Sequence, residues 1–179
     1  MTRPELAQAV QSADVVHESS VLEAAIRRMG GEIDQQLAGE SAVFLTIMQG
    51  GLIFAGQLAT HISAPLEFDY VHATRFRGGL TGGELSWMHQ PATSLSGRTV
   101  LLVDDILDEG HTLKAIRDFC VAAGASKVLI AVLCEKRHDR TVPDLRADFV
   151  GVEVPDRYVF GYGMDYHEQG RNLNSILAL

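Results

Sequence analysis

Cysteine is scarce: Cys120 and Cys134 are the only two in 179 residues, they stand in separate apolar segments, and they lack metal-ligand spacing. A disulfide framework and a zinc ribbon are therefore excluded, and a reducing cytoplasm is the expected setting. Basic residues are also few. Fifteen Lys and Arg face 23 Asp and Glu, a formal net charge of -8 with a pI near 5.3. Such a chain has no general electrostatic hold on nucleic acid or anionic lipid. The first residues, MTRPELAQAV, lack the apolar run and small-residue cleavage site of a signal peptide and read as ordinary helix. The seven histidines form no HxxxH pair, so no transition-metal site is expected. No GxxxxGK run followed by Ser or Thr occurs, which excludes a Walker loop.

Charge is absent from Ser41 to Leu66, a stretch long enough to span a bilayer. Gln49, Gln57, Thr46, Thr60 and His61 interrupt it, and Gly50-Gly51 divides it into a β-branched half and a helix-like half. A buried strand, a turn and a helix explain it better than a membrane span. At 46% hydrophobic residues, the chain can bury the core of one domain.

Periodicity supplies the element order. Leu22, Ile26, Met29, Ile33 and Leu37 recur at helical steps, with Ser19 or Ser20 as a cap and Glu23 completing a capping box. Ala42 to Met48 is a continuous apolar run, the mark of a strand buried on both faces. Leu52, Ala55, Ala59 and Ile62 mark a helix ending before Pro65. Leu66 to Ala73 alternates as a strand does, and Glu84 to His89 does so again with Leu85, Trp87 and His89 on one face. Between them lies an arm, Thr74 to Gly83, holding Gly78, Gly79, Gly82 and Gly83, which reads either as a hairpin tip or as a catalytic lid. Thr99 to Val103, the stripe Leu113, Ile116, Cys120 and Ala123, and Val128 to Leu133 form a right-handed βαβ crossover closed by Gly124. DFVGVEV and RYVF are shorter strand candidates ahead of an irregular C-terminal part. The expected fold class is α/β, a mostly parallel twisted sheet flanked by helices.

Ligands of open α/β sheets bind beyond the carboxyl ends of the strands, where Asp104 and Asp105 are expected to stand. Ile106 to Thr112 then turn the chain into a helix, so that their N–H groups and the helix dipole form a phosphate cradle. Gly110 permits close approach of the backbone, and the Thr112 hydroxyl can donate to a phosphate oxygen. Asp104, Asp105, Asp108 and Glu109 would repel an anion unless a divalent cation or sugar hydroxyls intervene. Mg²⁺ and a phosphorylated sugar carrying pyrophosphate satisfy both demands. His111 faces either the cradle or the helix surface.

The run LLVDDILDEGHTL resembles the phosphoribosyl pyrophosphate signature of type I phosphoribosyltransferases. IMQGG, LCEKR, DFVGVEVPDRYVFGYGMDY and EQGRNLN extend the resemblance, from Ala42 to Asn174, toward the hypoxanthine-guanine branch. That resemblance implies one domain over 1–179, with a core at about 40–137 and a small hood built from the terminal segments. It implies Mg²⁺-dependent transfer of a 5-phosphoribosyl group to N9 of a 6-oxopurine, in a cytoplasmic homodimer or homotetramer with no nucleic-acid or membrane partner. Asp104 and Asp105 would hold the ribose hydroxyls and the metal, and Asp108, Glu109, Gly110, His111 and Thr112 the 5'-phosphate, with Asp108 also the general base at purine N7. Gln49, Gly50, Gly51 and Arg171 would take pyrophosphate, with a cis bond between Gln49 and Gly50. Lys136, Tyr158, Val159 and Asp165 would read the purine, Asp165 also serving a second Mg²⁺, and Arg75 and Phe76 would belong to the mobile loop.

The sequence departs from the family at three places. Gln49 replaces a basic residue, Glu109 a hydroxyl residue, and Arg75-Phe76 a Ser-Tyr pair. Two other classes remain open on the residues alone. One is a non-catalytic nucleotide-sensing regulator on the same fold, and the other a phosphoacceptor signalling domain, since an acidic pair after a strand occurs there too.

Overall fold

The computed structural model describes residues 5–75 and 85–179. Phe76 and residues 77–83 of the glycine-rich arm lie outside them. Chain order runs α1 (Leu6–Ser12), β1 (Asp14–His17), α2 (Ser19–Leu37), β2 (Ala42–Met48), α3 (Leu52–Ala59), β3 (Leu66–Arg75) and β4 (Leu85–His89). It continues with β5 (Thr99–Leu107), α4 (His111–Ala122), β6 (Lys127–Lys136), β7 (Phe149–Val154), β8 (Val159–Phe160) and β9 (Ile176–Ala178).

Six strands form the main sheet in the order β4-β3-β2-β5-β6-β7, parallel throughout except for the β3–β4 hairpin. Alternate residues of its central strands enter opposite cores. Phe44, Leu101, Val103, Leu129 and Ala131 pack with α2 and α3, while Val43, Leu45, Val100, Leu102 and Ile130 pack with the Leu113, Ile116 and Cys120 stripe of α4. Burial on both faces is why these strands read as unbroken apolar runs. The terminal segments form a second, antiparallel sheet, β1-β9-β8, whose Val159, Ile176 and Ala178 join the α2 side of the core. The main sheet is the mostly parallel one that the α/β pattern implied, and the second sheet of terminal segments stands where the family resemblance put a hood. No helix among the described residues is long and apolar enough to cross a membrane.

Local readings needed correction in three places. Helix α2 takes Glu18 as its N-cap, with no side-chain cap bond, so Ser19 and Ser20 lie in its first turn and no capping box forms. The buried side of α3 is Phe54, Ala55 and Leu58, with Ala59 and Ile62 packed at its margin, and Leu52 is exposed; the helix packs on α2 as well as on β2 and β5. On β4, the register steps from His72↔His89 to Ala73↔Trp87, leaving Met88 as an extra residue. That bulge separates the expected face: Trp87 packs in the α4-side core, whereas His89 stacks on Tyr70 with ring centroids 4.0 Å apart.

Candidate active site

The chain leaves β2 toward β3 on one side of the sheet and leaves β5 toward β6 on the other, so the strand order reverses between β2 and β5. A crevice at the carboxyl ends follows from that switch. Pairing of β2 with β5 stops at Thr46↔Val103, while β5 continues along β6 through Leu107↔Glu135. Asp104 and Asp105 therefore project from a strand with only one neighbour. The expectation that Ile106 and Leu107 belong to the cradle is corrected: both are strand residues of β5, in register with Cys134 and Glu135 of β6. The loop itself is Asp108 to Gly110, followed by the first turn of α4.

Gly110 opens α4 in the left-handed region at φ 80°, and a Cβ there would press on Leu145 and on Leu107, 3.0 Å from its Cδ1. Only glycine holds that turn without strain. The amides of the first turn of α4 then point outward with no intrahelical acceptor. Thr112 is half-buried and lines the adjoining cavity. His111 and Glu109 are exposed and face each other at 3.6 Å, and Arg140 Nε lies 3.9 Å from the Glu109 carboxylate. An imidazole and a guanidinium thus stand beside the acid that departs from the family pattern.

The cavity, about 570 Å³, is lined by Gln49, Gly50, Asp104, Asp105, Thr112 and Arg171, together with His72, Thr74 and Glu168. Six residues from three distant segments, all anticipated for phosphoribosyl or pyrophosphate binding, thus meet at one opening. His72 was not anticipated, since it sits in an ordinary strand pattern, whereas Thr74 is the first residue of the arm read as a hairpin tip or a lid. Gly51 is buried below the opening, where a Cβ would fall 2.7 Å from the Val103 carbonyl. Gly50 lies directly against the Asp105 carboxylate, which a Cβ would overlap, and a Cβ on Gly163 would overlap the Gly50 carbonyl. The cis bond of this loop is Met48–Gln49, one residue ahead of the expected Gln49–Gly50. It falls where β2 ends, Met48 being the last residue paired with β3.

Charge in the cavity is frustrated. Asp105 is buried, and desolvation raises its carboxyl although the hydrogen bond with Asp104 and the Arg171 charge oppose this. Burial and the neighbouring Asp105 charge push Asp104 well above the usual carboxylate range. Arg171 donates to the Gly163 carbonyl at 2.6 Å and to Asp165 at 2.8 Å. Among the described residues, no group of three or more His, Cys, Asp or Glu could hold a metal alone. A cation here must share its shell with substrate oxygens and water, which suits Mg²⁺.

Next to the cavity, Asp108 accepts from Lys136 Nζ at 2.6 Å through Oδ2 and meets His138 Nε2 at 2.6 Å through Oδ1. Partial burial acts against its charge, but these two partners hold the carboxyl below its ordinary value. His138 was missed by sequence reasoning, because it lies beyond the strand and outside any motif. Tyr158 is exposed and donates to the Asp165 carbonyl at 3.1 Å, and Val159 is fixed in β8 opposite Ala178. Asp165 is engaged on both oxygens, by Arg171 and by the Glu168 N–H at 2.9 Å. Lys136, Tyr158, Val159 and Asp165 are not among the residues lining the 570 Å³ cavity. Arg75 ends β3 opposite Leu85.

Gly163→Ala is expected to lower activity more than tenfold with the sheet intact. Its φ of 107° and its contact with Gly50 leave no room for a side chain. Unchanged turnover with unchanged far-UV circular dichroism would show that the close approach is dispensable.

Residues 12–169 match the family described as "Phosphoribosyl transferase domain". Hypoxanthine-guanine phosphoribosyltransferase of Streptococcus pneumoniae is 34% identical over 166 residues, 92% of this chain and 91% of the relative. The enzyme of that name from Bacillus subtilis is 33% identical over 155 residues, 86% of each. Among solved structures, a hypoxanthine phosphoribosyltransferase from Staphylococcus aureus matches with a TM-score of 0.89 at 28% identity, covering 98% of this chain and 96% of that one.

Proposed function

The chain belongs to the phosphoribosyl transferase family, alongside its hypoxanthine-guanine members, and from that premise we propose how its residues divide the work of the reaction. The reaction is transfer of the 5-phosphoribosyl group from phosphoribosyl pyrophosphate to N9 of a 6-oxopurine, hypoxanthine or guanine, with release of pyrophosphate, a step of purine salvage. The observation that carries the assignment is the meeting of Asp104, Asp105, Thr112, Gly50 and Arg171 at the β2–β5 switch point.

The amides of Glu109 to Thr112 would receive the 5'-phosphate at the start of α4, where the helix dipole favours an anion. Asp104 and Asp105 would accept from the ribose hydroxyls and would hold Mg²⁺, with Asp165 as a second anchor once it releases Arg171 or the Glu168 N–H. Bound there, the metal would offset charge on the departing pyrophosphate. Arg171 and the exposed backbone of Gln49 and Gly50 would grip the same leaving group, which compensates for the missing basic residue at position 49. Lys136 would turn from Asp108 to the purine 6-oxygen. It can only donate, so the 6-amino group of adenine finds no acceptor there. Asp108, relieved of one cation, would regain basicity toward N7. Tyr158 would stack on the base, and the Val159 main chain would read its edge.

A cytoplasmic location suits the two free, buried cysteines. For self-association, the exposed Phe68, Tyr70 and Met88 of the β3–β4 hairpin offer an apolar face to a second copy, in a dimer or tetramer.

The test is nucleotide formation from phosphoribosyl pyrophosphate and Mg²⁺ with hypoxanthine, guanine, xanthine and adenine in turn. Product is expected with hypoxanthine or guanine and none with adenine. No product from any base, with the donor shown to bind, would favour the regulator reading instead.

A further inference from the structure

His138 stands outside the signature loop and outside every segment that carries the family resemblance. Its side chain is nonetheless only 2% exposed. Its N–H donates to the Lys136 carbonyl at 3.1 Å, a three-residue turn around Arg137 that sets the two side chains next to one another. Arg137 points away, 73% exposed and paired with Glu153. Lys136 and His138 then take one oxygen each of Asp108. The remaining ring nitrogen, Nδ1, accepts the Arg140 N–H at 3.1 Å. An accepting nitrogen carries no proton, so Nε2 bears it and donates to Asp108. The ring cannot turn without losing both partners.

Resting on the reading of Asp108 as the base and Lys136 as the purine contact, we propose that His138 is a positioning residue for Asp108. It retains Oδ1 when Lys136 departs for the purine, so the carboxylate stays aimed while Oδ2 opens toward N7. The main-chain ties of this loop, Thr141 Oγ1 to the Asp108 carbonyl at 3.4 Å and the Val142 N–H to the Glu109 carbonyl at 2.9 Å, fix the backbone and leave the carboxylate free to rotate. With 41% of its side chain exposed, Asp108 without His138 would swing toward water as soon as Lys136 let go. The other charged groups at this corner, Glu109, Arg140 and Asp156, pair with one another and leave the orientation of Asp108 to His138.

Steady-state kinetics of His138→Phe and His138→Gln test this. Phe fills the space without a donor, and Gln keeps an N–H at about the Nε2 position. His138→Phe is expected to lower kcat about ten- to a hundredfold, the worth of one hydrogen bond to a charged group, with the KM for phosphoribosyl pyrophosphate within about twofold. His138→Gln should recover most of the loss. Wild-type turnover in the Phe variant, equal loss in both variants, or a loss carried by KM for the donor would each overturn the proposal. If His138→Phe does not fold, ¹⁵N spectra of histidine-labelled wild type decide. The Nε2–H tautomer is expected to persist at saturating inosine monophosphate and Mg²⁺, and its loss overturns the idea. An inactive wild type would instead remove the functional reading on which this inference rests.

Discussion

Asp108→Asn is expected to lower kcat by about 10²–10⁴, the usual worth of a general base, while the KM for phosphoribosyl pyrophosphate moves by no more than a few fold. Asn keeps the shape and the loop, so the 5'-phosphate amides stay in place. It removes the carboxylate shared by Lys136 and His138. The amide can accept from one of these donors but presents its own N–H to the other, so the pair that flanks Asp108 in the free protein cannot be rebuilt. The loss belongs to the chemical step because the donor sugar is held by other groups. Equal losses in kcat and in donor affinity, measured by initial rates and calorimetry, would assign Asp108 to binding alone.

Asp104→Asn should move stability and affinity in opposite directions. Burial and the Asp105 charge raise the Asp104 carboxyl well above the ordinary carboxylate range. A carboxyl whose pKa is raised on folding favours the fold below its unfolded value and loses that contribution as pH rises through the folded one. Ionising the buried pair as pH rises therefore costs the free protein stability. Asn removes one charge and keeps the oxygen that accepts the Asp105 N–H at 3.0 Å. The melting temperature without ligand should rise by about 2–4 °C, about 1 kcal/mol for a chain of this size. The difference from wild type should widen from acidic pH upward. Binding of phosphoribosyl pyrophosphate with Mg²⁺ should weaken about ten- to a hundredfold, as the charged acceptor for ribose and metal is lost. A variant that melts lower and binds normally would make Asp104 a structural carboxylate.

Much of the site lies in one continuous run. Asp104 to Thr112 reads as strand, acidic pair, glycine turn and helix start because each part is a local preference of φ, burial or capping. The length of the strand was not local: β5 outlasts its pairing with β2 because β6 continues beside it, and that moved Ile106 and Leu107 out of the cradle. The role of His138 was equally hidden, since a lone histidine after a strand has no pattern. Its meaning comes from Asp108, 30 residues earlier.

By itself the sequence determined the α/β order, the two-faced apolar strands, the buried stripe of α2 and the acidic loop, all of which are set by contacts within a few residues and by the periods 2 and 3.6. Tertiary structure alone decided that Gly50, Asp105, Gly163 and Arg171 press together, that a bulge at Met88 splits the β4 face, and that Lys136 and His138 share Asp108. The reason is that strand order and loop approach are fixed by packing between segments far apart in the chain, where each residue's partner is set by the fold as a whole.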